Sequence, residues 1–192
     1  MNRFRLTPSV IPNLFTAMNM FSGFFSIITA SQENYTYAAW LIVVAAVFDA
    51  LDGFMARLTK SSSELGVELD SLSDIVSFGA APSFLLYKTY FYQFETIGII
   101  LSSLIMIAGG FRLARFNVQL VGFDKAYFTG LPIPSSALTI VSFVLGFYNN
   151  GFNGPERYFV IPIVFALSLL MVSNIKYDTL SKYAFKNFKK NP

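Results

Sequence analysis

Apolar stretches of roughly 20 residues, enough to cross about 30 Å of hydrocarbon, recur six times along the chain. They run approximately over Ile11 to Ala30, Tyr35 to Arg57, Val67 to Tyr87, Thr96 to Arg115, Pro132 to Tyr148 and Tyr158 to Asn174. The first run ends in Ile28-Thr29-Ala30, which mimics a leader cleavage site. It is longer than the apolar core of a leader and is interrupted early by Pro12 and Asn13, so it reads as a retained span. The third run is the least hydrophobic, because it contains Glu68, Asp70 and Asp74. Pro82 is expected to bend it, and Ser77 to Ala81 offer a smooth packing face. The pattern predicts an all-α, polytopic membrane protein of six transmembrane helices.

The polar positions inside these runs matter most. Asp49 closes a stretch from Trp40 to Phe48 whose only polar side-chain group is an indole N–H. One Asp at the centre of a membrane helix costs about 2.5–3.5 kcal/mol, and four unpaired would cost on the order of 10 kcal/mol. On a helix Asp49, Asp52, Gly53 and Ala56 share one stripe with Arg57 at its edge, and Gly66, Asp70 and Asp74 share another. Side by side, two such helices bring the acids into one polar pocket. The chain has no His and no Cys. Clustered carboxylate oxygens alone suit a hard divalent cation, Mg²⁺, Mn²⁺ or Ca²⁺, and not zinc or copper. Gly53, Ala56 and Gly66 leave room beside the acids for a ligand or a close backbone approach, and Arg57 can hold a phosphate bidentately.

The spacing D-x2-D-G-x2-A-R-x8-G-x3-D-x3-D is matched at every fixed position by Asp49, Asp52, Gly53, Ala56, Arg57, Gly66, Asp70 and Asp74. In this the chain resembles the CDP-alcohol phosphatidyltransferase family of integral membrane enzymes. The resemblance implies metal ligation by Asp49, Asp52, Asp70 and Asp74, with Asp74 also the general base. It places Asp52, Gly53, Ala56, Arg57 and Gly66 at the nucleotide and phosphates, and it implies a homodimer. Family members often carry an Asn and a Thr near the nucleotide, where this chain has Asn13 and Thr16. Read from the residues alone, those two serve equally well as helix-start groups that satisfy backbone.

Composition and charge set the orientation. The 192 residues are 54% hydrophobic and 13% charged, with a net charge of +3. Of the 14 Lys and Arg, twelve (Arg3, Arg5, Arg57, Lys60, Arg112, Arg115, Lys125, Lys176, Lys182, Lys186, Lys189 and Lys190) fall on one side of the six-span arrangement, leaving Lys88 and Arg157 opposite. The positive-inside rule puts the twelve, both termini and the mouth of the acidic pocket in the cytoplasm. Tyr35, Tyr37, Trp40, Tyr90, Phe91, Tyr92, Phe152 and Tyr158 form an expected aromatic belt on the far side. The chain divides into a catalytic membrane domain, 1–175, and a basic tail, 176–192, with Tyr183, Phe185 and Phe188 among its lysines. The tail suits anionic membrane lipids rather than nucleic acid.

Two further clusters bear on the acceptor. Gly109 and Gly110 precede Arg112, Arg115 and Asn117 near the cytoplasmic end of the fourth run. The arginines, at i and i+3, can bind a carboxylate or phosphate of a second substrate, or serve as positive-inside anchors. The prolines of the Gly130 to Ala137 segment are suited to start a helix. Together with the Arg112 to Asn117 run, the segments Phe128 to Ala137 and Ser73 to Pro82 are similar to the serine-using branch of the family. That resemblance implies the reaction CDP-diacylglycerol + L-serine → phosphatidylserine + CMP. The absence of His excludes a phosphohistidine route to the same lipid. The alternatives are another acceptor (glycerol 3-phosphate, inositol or inositol phosphate) or, from a different class, a cation-coupled transporter, since intramembrane carboxylates also mark ion paths.

Overall fold

The computed structural model describes residues 10–59, 63–121, 128–148 and 151–177. Arg3, Arg5, Lys60, Lys125 and the tail beyond Tyr177 lie outside the described residues, and with them part of the orientation argument. Helices joined by short turns make up the described chain, with one two-residue antiparallel pairing, β1 (Phe128–Thr129) with β2 (Lys176–Tyr177).

Six helical rods correspond to the six apolar runs. They are α1 (Val10–Ser31), α2 (Tyr35–Thr59), a composite third rod, α5 (Glu95–Val121), α6 (Ile133–Phe147) and α7 (Arg157–Val172). Val10–Ser31, Tyr35–Thr59 and Phe91–Val118 are long and apolar enough to cross a membrane, while α6 and α7 are apolar but shorter. The fourth rod runs past Arg115, one to two turns further than the sequence suggested.

The third rod is α3 (Glu64–Asp74), a π-helical run from Ile75 to Ala80, and α4 (Ala81–Thr89). The N–H of Ala81 reaches back to the carbonyl of Val76. Pro82 has no N–H, and its ring would press on the carbonyl of Phe78 in a regular helix. The irregularity expected at Pro82 thus appears as a widened π segment just before it.

α1 is built inside out. Its exposed residues include Leu14, Phe21 and Phe24, while Thr16, Asn19, Ser22, Ser26 and Thr29 are buried. In water that arrangement would be costly; in lipid, small polar groups line helix contacts and large apolar ones face outward. Buried hydroxyls are satisfied by backbone: Ser22 donates to Met18 O (2.8 Å) and Ser26 to Ala38 O (2.8 Å). α1 packs most extensively on α2 and also touches α3 and the π segment. Gly23 makes that last contact possible, because a Cβ there would collide with Ser77.

The apolar core lies among α2, α4, α5, α6 and α7, with Ile42, Leu85, Ile105, Ile140 and Val164 almost fully buried. An aromatic cluster closes one end. Tyr35 packs edge-on to Tyr148 at 5.1 Å, and Phe152 meets Tyr90, Phe143 and Tyr148 at 5.3–6.2 Å. Of the expected belt, Tyr37, Trp40, Tyr92 and Tyr158 are exposed, whereas Phe91 and Phe152 are buried in this cluster.

Candidate active site

The acids gather at the other end. Asp49 and Asp52 lie one turn apart on α2, Asp70 and Asp74 one turn apart on α3, and α1 packs against both helices. Asp49, Asp70 and Asp74 each offer one carboxylate oxygen, and these oxygens lie within 4.8 Å of one another. Asp52 is turned toward α1, where its Oδ2 accepts from Thr16 Oγ1 at 2.9 Å. The same hydroxyl lies 3.2 Å from Pro12 O. With one proton to give, its shorter, charge-assisted bond is the one to the carboxylate.

α1 holds the acidic helix by hydrogen bonds that the sequence analysis did not single out. Asn19 Nδ2 donates to Asp74 Oδ1 at 3.4 Å, while Asn19 Oδ1 is buried without a partner. Ser73 Oγ donates to Thr16 O (3.0 Å) and Ser77 Oγ to Asn19 O (2.8 Å). The missed residues do follow a visible signal. Pro12, Thr16, Asn19, Gly23, Ser26 and Ala30 repeat at alternating steps of three and four along an otherwise bulky apolar helix.

A cavity of about 120 Å³ opens beside the carboxylates. Of the expected nucleotide and phosphate residues, Asn13, Thr16, Asp52, Gly53, Ala56 and Gly66 all line it, joined by Asp70 and by Ser63. Ser63 caps α3, its Oγ accepting from Gly66 N at 3.1 Å. A Cβ on Gly66 would crowd Ser63 Oγ and Asn13 Oδ1, so glycine keeps this wall open. Arg57 is exposed and outside the lining, with Nη1 over Gly53 one turn back.

Arg112, Arg115 and Asn117 have three different settings. Arg112 is buried, 8% exposed, with its Nε unpartnered, and it lies close enough to Asp74 to feel its charge. Arg115 donates to Met171 O, Val172 O, Ser173 O and Asn174 Oδ1 at 2.9–3.3 Å, taking up carbonyls that α7 leaves open at its C-terminus. Gly130 (φ +81°) lets the chain pass under that clamp, since a Cβ there would strike Met171 O and Arg115. Asn117 and Ser71 exchange hydrogen bonds at 3.0 and 3.3 Å, tying α5 to the residue beside Asp70.

Three carboxylate oxygens so close repel strongly in a low-dielectric setting. With no cysteine or histidine in the chain, the all-carboxylate set fits a hard divalent cation.

The family model for CDP-alcohol phosphatidyltransferase matches residues 9–173. The chain is similar to the CDP-diacylglycerol–serine O-phosphatidyltransferase of Helicobacter pylori, 43% identical over 175 residues, covering 90% of this chain and 73% of the relative. It is 40% identical over 181 residues to the archaetidylserine synthase of Methanothermobacter thermautotrophicus, covering 92% and 73%. To the CDP-diacylglycerol–serine O-phosphatidyltransferase of Bacillus subtilis it is 34% identical over 182 residues, covering 92% and 94%. Among solved structures, it shares its fold with Mycobacterium tuberculosis phosphatidylinositol phosphate synthase with CDP-DAG bound. The TM-score is 0.62 at 19% identity, covering 88% of this chain and 82% of that one.

Proposed function

The chain belongs to the CDP-alcohol phosphatidyltransferase family, and from that premise we propose that it transfers the phosphatidyl group of CDP-diacylglycerol to the hydroxyl of L-serine, releasing CMP. The observation that carries this reading is the meeting of Asp49, Asp70 and Asp74 beside a cavity lined by the motif's small residues. Serine as acceptor is supported by the names of the relatives described above.

Asn13, Thr16, Gly53, Ala56 and Gly66 receive the cytidine and its phosphates, with Asp52 fixed by Thr16 and Arg57 at the outer edge. A divalent cation, Mg²⁺ or Mn²⁺, held by Asp49, Asp70 and Asp74 with Asp52 at its border, would polarise the phosphoryl oxygens and stabilise the departing CMP. Asp74 accepts the serine hydroxyl proton while the serine oxygen bonds to the phosphorus that carries diacylglycerol. The bond from that phosphorus to the CMP oxygen breaks, and CMP leaves with the electron pair. Asn19 steadies Asp74 through this transfer.

Arg112 takes the serine carboxylate. It is a buried cation on the side of Asp74 that faces α5, and a planar guanidinium matches a carboxylate. Arg115 and Asn117 contribute by holding the end of α5 to α7 and α3. The pocket opens to the cytoplasm, where twelve of the 14 cations are assigned. The catalytic unit is residues 1–175, acting as a homodimer, with 176–192 on the anionic cytoplasmic surface.

The test is an acceptor panel: membranes containing the protein, CDP-diacylglycerol and Mg²⁺ or Mn²⁺, with labelled serine, glycerol 3-phosphate, inositol or inositol phosphate. Lipid label from serine alone, lost with chelator, supports the reading. Label from another acceptor overturns serine. An Asp74→Asn protein that binds substrates and turns over normally would refute the base assignment.

A further inference from the structure

A second polar cavity, about 290 Å³, lies at the opposite end of the bundle from the carboxylates. Fifteen residues of helix, roughly 20 Å at 1.5 Å per residue, separate Asp74 from Thr89 at its rim. The cavity sits where α4 ends and α7 begins. Tyr90, Tyr92 and Gln93 form one wall, and Phe152, Asn153 and Arg157 the other.

Its chemistry is one-signed. Arg157 is a lining residue, and no Asp or Glu is. The adjacent acid, Glu156, is turned back onto the N–H of Gly154 at 2.8 Å. Arg157 is held in place by Tyr158, donating through Nη2 to the phenol oxygen at 2.9 Å with its Cζ 4.9 Å from the ring centre. The bond to Tyr158 uses Nη2 alone, and the Arg157 side chain is exposed. Phe152 (φ +53°) and Gly151 (φ +70°) make the sharp turn that opens this wall.

Size and depth narrow the ligand. A volume near the lower bound of about 300 Å³ for small-molecule sites is ample for a phosphate headgroup. Exposed Tyr37, Trp40, Tyr92 and Tyr158 mark this end as a membrane–water boundary, where lipid phosphates are concentrated. Positive-inside sorting does not explain Arg157, which lies on the side that sorting depletes.

We propose that this cavity binds a phosphate group, that of an anionic phospholipid in the far leaflet, with Arg157 as its charged ligand. The site is separate from catalysis and holds a lipid against the α4–α7 corner. The proposal does not depend on which acceptor the enzyme uses.

The experiment is native mass spectrometry of the full-length protein, released from micelles doped with phosphatidylglycerol. Wild type, Arg157→Gln, Arg157→Lys and Lys88→Gln are compared. Retention of one lipid should fall about tenfold in Arg157→Gln, the loss of one charge-assisted hydrogen bond. It should recover in part in Arg157→Lys and be unchanged in Lys88→Gln, which removes the other far-side cation but does not line the cavity. CMP release in neutral detergent should be the same in all four, which also shows that each is folded. Equal retention by wild type and Arg157→Gln would overturn the proposal, as would equal loss in Lys88→Gln, which would indicate diffuse charge. A parallel arm adds inorganic phosphate without lipid. Thermal stabilisation by phosphate that vanishes in Arg157→Gln, with no lipid retained by wild type, would overturn the lipid source.

Discussion

Asn19 on α1 donates its side-chain amide to Asp74 on α3 at 3.4 Å, and both residues are buried. The backbone carbonyl of Asn19 also accepts from Ser77 one turn beyond Asp74. One residue of the first helix thus positions both the proposed base and the helix that carries it. Partners that orient metal-ligating carboxylates typically matter by 10–100-fold. Asn19→Ala should lower turnover by about that range and raise the metal concentration needed for half-maximal CMP release. A change in turnover with no change in metal requirement would confine Asn19 to helix packing.

Close approach of α1 to the π segment rests on Gly23. Gly23→Ala places a methyl group against Ser77, including its backbone, and should destabilise the protein by about 1–3 kcal/mol. Gly146 on α6 is the internal control, since a Cβ there meets nothing within 4 Å. Gly146→Ala should be neutral or stabilising by up to about 1 kcal/mol, from helix propensity. Thermal unfolding in detergent separates the two. Equal shifts would mean that the α1–π contact is not tight in the folded protein.

The four aspartates are predicted to divide. Asp49→Asn, Asp70→Asn and Asp74→Asn each remove a carboxylate from the close triad and should abolish turnover at ordinary Mg²⁺ or Mn²⁺ levels. Asp52 is bonded to Thr16 on the cavity wall, so Asp52→Asn should act chiefly on the KM for CDP-diacylglycerol. Thr16→Val removes one hydrogen bond to that carboxylate, worth about 1 kcal/mol or more, and should raise the same KM roughly fivefold. Kinetics at varied metal and varied lipid substrate test this. A metal requirement shifted equally by Asp52→Asn and Asp49→Asn would place Asp52 among the ligands.

The six rods were legible because each is an apolar run, and the gathering of Asp49, Asp70 and Asp74 was legible because these acids stand out in such runs at helical spacing. Gly53, Ala56 and Gly66 met on one wall as the stripes on α2 and α3 suggested, and Asn13 and Thr16, placed there only by the family resemblance, line it too. Other features depend on information that spacing does not hold. Asn19 was hidden among the small polar residues of α1, and only the packing of α1 on α3 makes it a partner of Asp74. The π segment answers to Pro82, but its close seat on α1, Gly23 against Ser77, is visible only in the packing. Phe91 and Phe152 looked like belt aromatics because nothing in their sequence neighbourhoods announces that they bury each other's cluster.

Arg112 and Arg115 show the same limit, and they make the sharpest pair of mutants. At i and i+3 they look equivalent, yet the partners of Arg115 are 56 to 59 residues away on the end of α7. Removing that clamp leaves several carbonyls without their donor. Arg115→Ala should therefore cost about 1.5–3 kcal/mol of stability or more, while the protein that remains folded keeps an ordinary KM for serine. Arg112 is buried with Nε unpartnered, and the proposed function assigns its charge to the substrate carboxylate. Arg112→Gln should raise the serine KM more than tenfold with a small change in unfolding temperature, the loss of a charge-assisted pair. Arg112→Lys should recover only part of it, because an ammonium cannot present two parallel donors. Unfolding curves and serine titrations on the same preparations decide the matter. If Arg115→Ala shifts the serine KM and Arg112→Gln does not, the two roles are reversed, and the acceptor lies nearer the Gly130 turn than Asp74.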